Sequence, residues 1–132
     1  MYLPDTNVCI RFLNGRSATI SQRMAAVRPS QVKLCSVVKA EMLYGAARST
    51  DPERSRATLE GFFSHYESLP FDDLAASEYG RIRAHLSGLG TPIGPNDLMI
   101  AAIAVSRGLV LVTHNTREFL RVPGLALEDW EA

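Results

Sequence analysis

The stretch from Asn96 to Thr113 constrains this chain most. Leu98 to Val105 is unbroken apolar sequence, Gly108 stops it, and Leu109 to Thr113 follows as an apolar, β-branched run. A helix that is apolar nearly all round must be covered on every side. The run is far short of the roughly 20 residues that a membrane span needs. It is therefore expected to be enclosed within a folded domain, next to the strand that follows it.

The same alternation of strand and helix runs through the chain. Strands are expected at Met1–Pro4, Val32–Val38, Ser68–Phe71, Leu109–Thr113 and Leu125–Leu127. Helices are expected from Asp5-Thr6-Asn7 to Leu13, over Thr19–Val27, and over Lys39–Arg48. Asp51-Pro52-Glu53 starts another, with Leu59, Phe62, Phe63 and Tyr66 on one apolar face. Asp72 caps a helix whose buried stripe is Ala75, Tyr79, Ile82, Leu86 and Leu89, and Asn96 is expected to cap Asp97–Arg107. Alternation of this kind implies an α/β fold: a mainly parallel, roughly five-stranded central sheet with helices on both faces. Pro4 is awkward in a first strand, which is usually central, because proline has no ladder donor. Its place at the strand's end makes the loss tolerable.

The length of 132 residues suits a single domain spanning 1–132. Fourteen basic residues balance fourteen acidic ones, so overall charge gives no reason to expect a protein that coats nucleic acid. Twelve of the basic residues are Arg and two are Lys (Lys33, Lys39), and Arg is the better bidentate phosphate ligand. Arg11, Arg16, Arg48 and Arg117 are candidates to hold flanking phosphates, and the sequence does not choose among them. Cys9 and Cys35 are too few for a disulfide scaffold or zinc cluster and are expected to be small buried hydrophobes. Met1-Tyr2-Leu3-Pro4-Asp5 does not read as a signal peptide, and a cytoplasmic protein is expected.

Ligands of an open parallel sheet bind at the carboxyl ends of its strands. Asp5 ends the first strand, Glu41 follows the second, Asp97 opens the enclosed helix, and Asn115 and Glu118 follow the Leu109–Thr113 strand. Taken singly, each acid has a plain explanation: Asp97 as a helix-dipole acid, Asp5 as a turn residue, Glu41 as a solvated helix acid. Brought together they would repel, and a hard cation, Mg²⁺ or Mn²⁺, would remove the penalty.

Four strings resemble PIN-domain ribonucleases, and their order, spacing and total length resemble VapC-type toxins of toxin–antitoxin pairs. They are Asp5-Thr6-Asn7; Ser36-Val37-Val38 with Glu41; Gly94-Pro95-Asn96-Asp97-Leu98-Met99-Ile100-Ala101; and Val112-Thr113-His114-Asn115-Thr116-Arg117-Glu118-Phe119. The last runs on into Val122-Pro123-Gly124-Leu125 and Glu128-Asp129-Trp130. The resemblance implies a three-layer α/β/α PIN-like fold and a metal-dependent endoribonuclease that cuts structured RNA, with tRNA the commonest target class. It also implies a cognate VapB-type antitoxin and a homodimer. Carried over, Asp5, Glu41 and Asp97 match the core acids that would hold Mg²⁺ or Mn²⁺. Asn115 stands where the family often has Asp, and Glu118 supplies the carboxylate. Thr6 is expected to cap the following helix and hold Asp5, and Asn115 to orient water. Lys39 replaces a common Thr and Pro4 a common aliphatic residue, and neither change removes a ligand.

Two other functions compete. Phosphotransfer on an aspartate wants a Lys late in the chain, and no Lys follows Lys39. A catalytically inactive PIN-like binding module would usually lack some of the acids.

Overall fold

A computed structural model describes residues 1–131, so Ala132, the last residue of the expected 1–132 domain, lies outside the described residues. The strands are β1 (Tyr2–Pro4), β2 (Lys33–Cys35), β3 (Glu67–Leu69), β4 (Val110–Val112) and β5 (Ala126–Glu128). Among the described residues seven α-helices alternate with them: α1 (Thr6–Leu13), α2 (Ala18–Ala26), α3 (Ser36–Ala47), α4 (Pro52–Phe63), α5 (Asp73–Gly88), α6 (Pro95–Arg107) and the short α7 (Thr116–Phe119).

All strand pairings are parallel. β1 pairs with β4 and β4 with β5, while β2 pairs with β3. A single parallel bridge, Tyr2 to Val32, joins the two ladders and gives the order β3-β2-β1-β4-β5. This is the expected five-stranded sheet, within a three-layer α/β/α arrangement. The core divides into two clusters. Leu3, Leu34 and Leu111 pack in one with residues of α3, α5 and α6. Val32 and Val112 pack in the other with Ile20 and Met24 of α2 and with Trp130.

Pro4 sits in the central strand without harm. Val110 N donates to Met1 O and Asp5 N to Val112 O, so the odd residues of β1 bond to β4. By alternation the Pro4 nitrogen faces the β2 side. There the pairing ends at the Tyr2–Val32 bridge, before Pro4 is reached.

Several boundaries differ from expectation. The Val32–Val38 strand is only Lys33–Cys35, because Ser36-Val37-Val38 already forms the first turn of α3. Burial of Val37 and Val38 against the core overrides their β preference. Asn96 does not cap α6: Gly94 is the N-cap and Pro95 the first helical residue, where a missing N–H costs nothing. Leu89 is 62% exposed rather than part of the α5 stripe, since it lies beyond the last helical residue. Asp51 and Asp72 do cap their helices, accepting from the backbone N–H of Arg54 and Ala75. Gly108 closes α6 with φ +64, a left-handed conformation that glycine adopts without strain. No helix among the described residues is long and apolar enough to cross a membrane.

Candidate metal and substrate site

Asp5 leaves β1 at the middle of the sheet and becomes the N-cap of α1. Its Oδ1 accepts from Val8 N at 3.0 Å and its Oδ2 from the Thr113 hydroxyl at 2.6 Å. Asp5 is therefore the cap that sequence reasoning gave to Thr6. Only 6% of Asp5 is exposed. Burial pushes its carboxyl above the usual aspartate value, against the pull of the bonds from Thr113 and Val8. The charges of Glu41 and Glu131 push the same way as burial.

The Thr6 hydroxyl turns instead to Glu41, donating to Oε1 at 2.5 Å. Glu41 lies in the second turn of α3, half-buried, and its Oε2 accepts from Asn96 Nδ2 at 3.3 Å. One carboxylate thus links the starts of α1 and α6. Pro95 and Asn96 fill the first two positions of α6 and put Asp97 at the third. Asp97 is half-buried, and its carboxyl is pushed up to about 6. Desolvation is the largest cause, followed by the charges of Asp5, Glu118 and Glu41. Glu118, on α7, accepts from Asn115 Nδ2 at 2.7 Å. Asn115 N in turn donates to the Thr113 hydroxyl at 3.0 Å.

The fold therefore brings Asp5, Glu41 and Glu118 within electrostatic reach of Asp97. It does not draw them into a closed cage: among the described residues no group of three His, Cys, Asp or Glu side chains is set to hold a metal ion. The donor chemistry nevertheless fits a hard divalent cation. The candidate ligands are carboxylate oxygens that destabilise each other's charge. The two nearby thiols do not compete, since burial keeps Cys9 and Cys35 protonated.

Sequence reasoning missed three side chains here. Thr113 is fully buried and ties Asp5 to Asn115. Asn96 binds Glu41 rather than capping a helix. Glu131 lies near enough to act on Asp5 and forms an ion pair with Arg11. A hydroxyl at the carboxyl end of a core strand was a usable signal for Thr113. Glu131 carried none, because only the docking of the C-terminal segment brings it to α1. His114 is exposed and meets Asp129 at 3.0 Å and Glu131 at 3.3 Å. A cavity of about 710 Å³ opens beside Glu41, lined by Thr6, Tyr44, Arg48, Asn96 and Met99 among others.

The PIN domain family matches residues 2–125. The chain is 47% identical over 131 residues to the "tRNA(fMet)-specific endonuclease VapC" of Shigella flexneri, covering 98% of this chain and 97% of that one. It is 46% identical over 129 residues to the protein of the same name from Salmonella typhimurium, with the same coverage. Its fold superposes on a chain of the DNA-bound VapBC crystal structure from Salmonella typhimurium with a TM-score of 0.91 and 45% identity, covering 98% and 97% of the two chains. With matches spanning nearly its whole length, the chain belongs to the PIN-domain family and is closely related to the VapC-type toxins of toxin–antitoxin systems.

Proposed function

We propose that this chain, acting as one PIN-like unit, is the toxin of a type II toxin–antitoxin pair and a Mg²⁺- or Mn²⁺-dependent endoribonuclease. The reading rests on one observation above all: Asp97 is raised to about 6 by burial and by three other carboxylates, in a chain nearly half identical to named tRNA endonucleases. Clustered acids with no use would be costly to keep, and a divalent cation relieves the repulsion.

Asp5, Glu41 and Asp97 would hold the cation, with Glu118 as a fourth carboxylate. When bound, the ion supplies Lewis-acid activation of water and offsets charge at the phosphodiester. The protein's own groups do the positioning. Val8 N–H and the Thr113 hydroxyl fix both oxygens of Asp5. Thr6 and Asn96 fix Glu41. Asn115 steadies Glu118 and helps it orient the attacking water. The substrate is structured RNA, with tRNA the first candidate, as the Shigella flexneri and Salmonella typhimurium relatives' names suggest. A VapB-type antitoxin is the expected partner, since VapBC complexes superpose on this chain, and the toxin is expected to act as a cytoplasmic homodimer within that complex.

The test is to incubate antitoxin-free protein with bulk bacterial tRNA and Mg²⁺ or Mn²⁺, then with chelator, beside Asp97→Asn. Discrete fragments that require both metal and Asp97 are expected. Cleavage that survives chelator or Asp97→Asn would overturn the mechanism. No cleavage together with no Mn²⁺ binding would make the chain an inactive PIN-like binding module.

A further inference from the structure

We infer that Tyr44 and Arg48 form a nucleotide shelf: Tyr44 stacks one unpaired base of the substrate RNA, and Arg48 holds an adjoining phosphate, beside the cut site. This rests on the ribonuclease reading above and deepens it.

Glu41 and Tyr44 fall on one face of α3, a turn apart, Arg48 follows as its C-cap one turn on, and all three line the 710 Å³ cavity. Tyr44 is 63% exposed, so its ring is presented to solvent rather than packed in the core. The Arg48 guanidinium sits 4.9 Å from the ring centroid, which orders both groups before a ligand arrives. Arg48 has no ion-pair partner among the described residues, whereas Arg11 is paired with Glu131. Of the four arginines that the sequence left as phosphate candidates, only Arg48 lines this cavity. An exposed aromatic ring beside a guanidinium, with the Glu41 carboxylate one turn away, is the chemistry that takes a splayed-out base and its phosphate.

A bland explanation exists: a Tyr–Arg pair four residues apart on a helix stacks by proximity alone. The molecule holds such a pair as an internal control. On α5, Arg83 lies 5.9 Å from the Tyr79 ring, and both line a separate cavity of about 210 Å³ that has no carboxylate in its wall. If stacking were only helix packing, the two pairs would behave alike toward RNA.

The experiment measures binding of bulk tRNA to the full chain carrying Asp97→Asn, which removes cleavage. Adding Tyr44→Leu is expected to weaken binding on the order of tenfold, and Tyr44→Phe to change it little. Arg48→Ala is expected to flatten the slope of log affinity against log salt by about one unit, and Arg48→Lys to restore it. Tyr79→Leu should leave affinity unchanged. Equal affinity for Tyr44→Leu and Tyr79→Leu would overturn the shelf while leaving the ribonuclease reading intact. A Tyr44→Leu variant that binds tRNA normally but changes oligomeric state on a sizing column would make this face a contact between copies, and also overturns it. Parent protein that binds no tRNA at all would remove the ribonuclease reading and the shelf together.

Discussion

Thr113 and Asp5, 108 positions apart in sequence, are joined by a 2.6 Å hydrogen bond between buried groups. The bond crosses from the end of β4 to the end of β1, and the same hydroxyl accepts from Asn115 N. It is one of the interactions that favour the charged form of Asp5 against burial. Thr113→Val keeps the shape and removes the hydroxyl. It is expected to cost about 1–3 kcal/mol, because a buried carboxylate oxygen loses its partner. Thr113→Ser should recover most of the loss. An unchanged melting temperature for the Val variant would refute the role.

Asp97 titrates at about 6 in the folded chain against an ordinary value of 3.8. The folded state thus binds this proton more tightly than the unfolded state. The stability linked to it is fully present below pH 3.8 and is lost as pH rises through 6. Because the group is half-buried, solvent screening reduces the effect to about 1 kcal/mol. In chelator, the melting temperature of Asp97→Asn relative to the parent should therefore rise between pH 4 and pH 7, by about 2–4 °C. A difference that stays flat over that range would contradict the assignment.

Metal should act in the opposite sense to that repulsion. Titrating Mn²⁺ into chelator-treated protein is expected to raise the melting temperature, with a stabilisation of about 2.7 kcal/mol at one hundred times the dissociation constant. Asp5→Asn and Asp97→Asn should each abolish most of the shift. Mn²⁺ stabilisation that persists in both variants would place the cation elsewhere.

Trp130 anchors the C-terminal segment. It is 2% exposed, meets Tyr2 edge-on at 5.2 Å, donates from Nε1 to Glu128 at 3.0 Å, and lies under the Arg23 guanidinium. Trp130→Ala is expected to cost about 3–5 kcal/mol. Arg23→Ala removes an exposed ion pair to Glu128 and should cost less than about 1 kcal/mol. Denaturant midpoints of the two variants check the contrast, and comparable losses would show that Trp130 is not the anchor.

Much of this was legible in the residues. Periodicity gave the strand–helix alternation, and Asp51, Asp72 and Gly108 acted as the punctuation they resemble. The errors cluster where tertiary packing outweighs local preference. Val37 and Val38 look like strand, yet the core claims them as helix. Asn96 looks like a cap, yet the helix starts two residues earlier, at Pro95, and frees the amide for Glu41. For the site, the motif strings supplied the acids. They gave no role to Thr113 or Glu131, because partners far apart in sequence leave no spacing to read. The Tyr44–Arg48 pair has helical spacing, but Tyr44 lies outside the strings and only the cavity singles it out.

The order of the strands has a consequence for the life of the chain. β1 is synthesised first but lies between β2 and β4, and Asp5 meets Thr113 only after 108 further positions have been added. Glu118 and the Trp130 anchor come later still. A nascent polypeptide therefore exposes Asp5 with its local Val8 contact available but without the Thr113 hydroxyl that holds its other oxygen. The architecture itself postpones assembly of the candidate site until β4, α7 and the Trp130 anchor have all emerged.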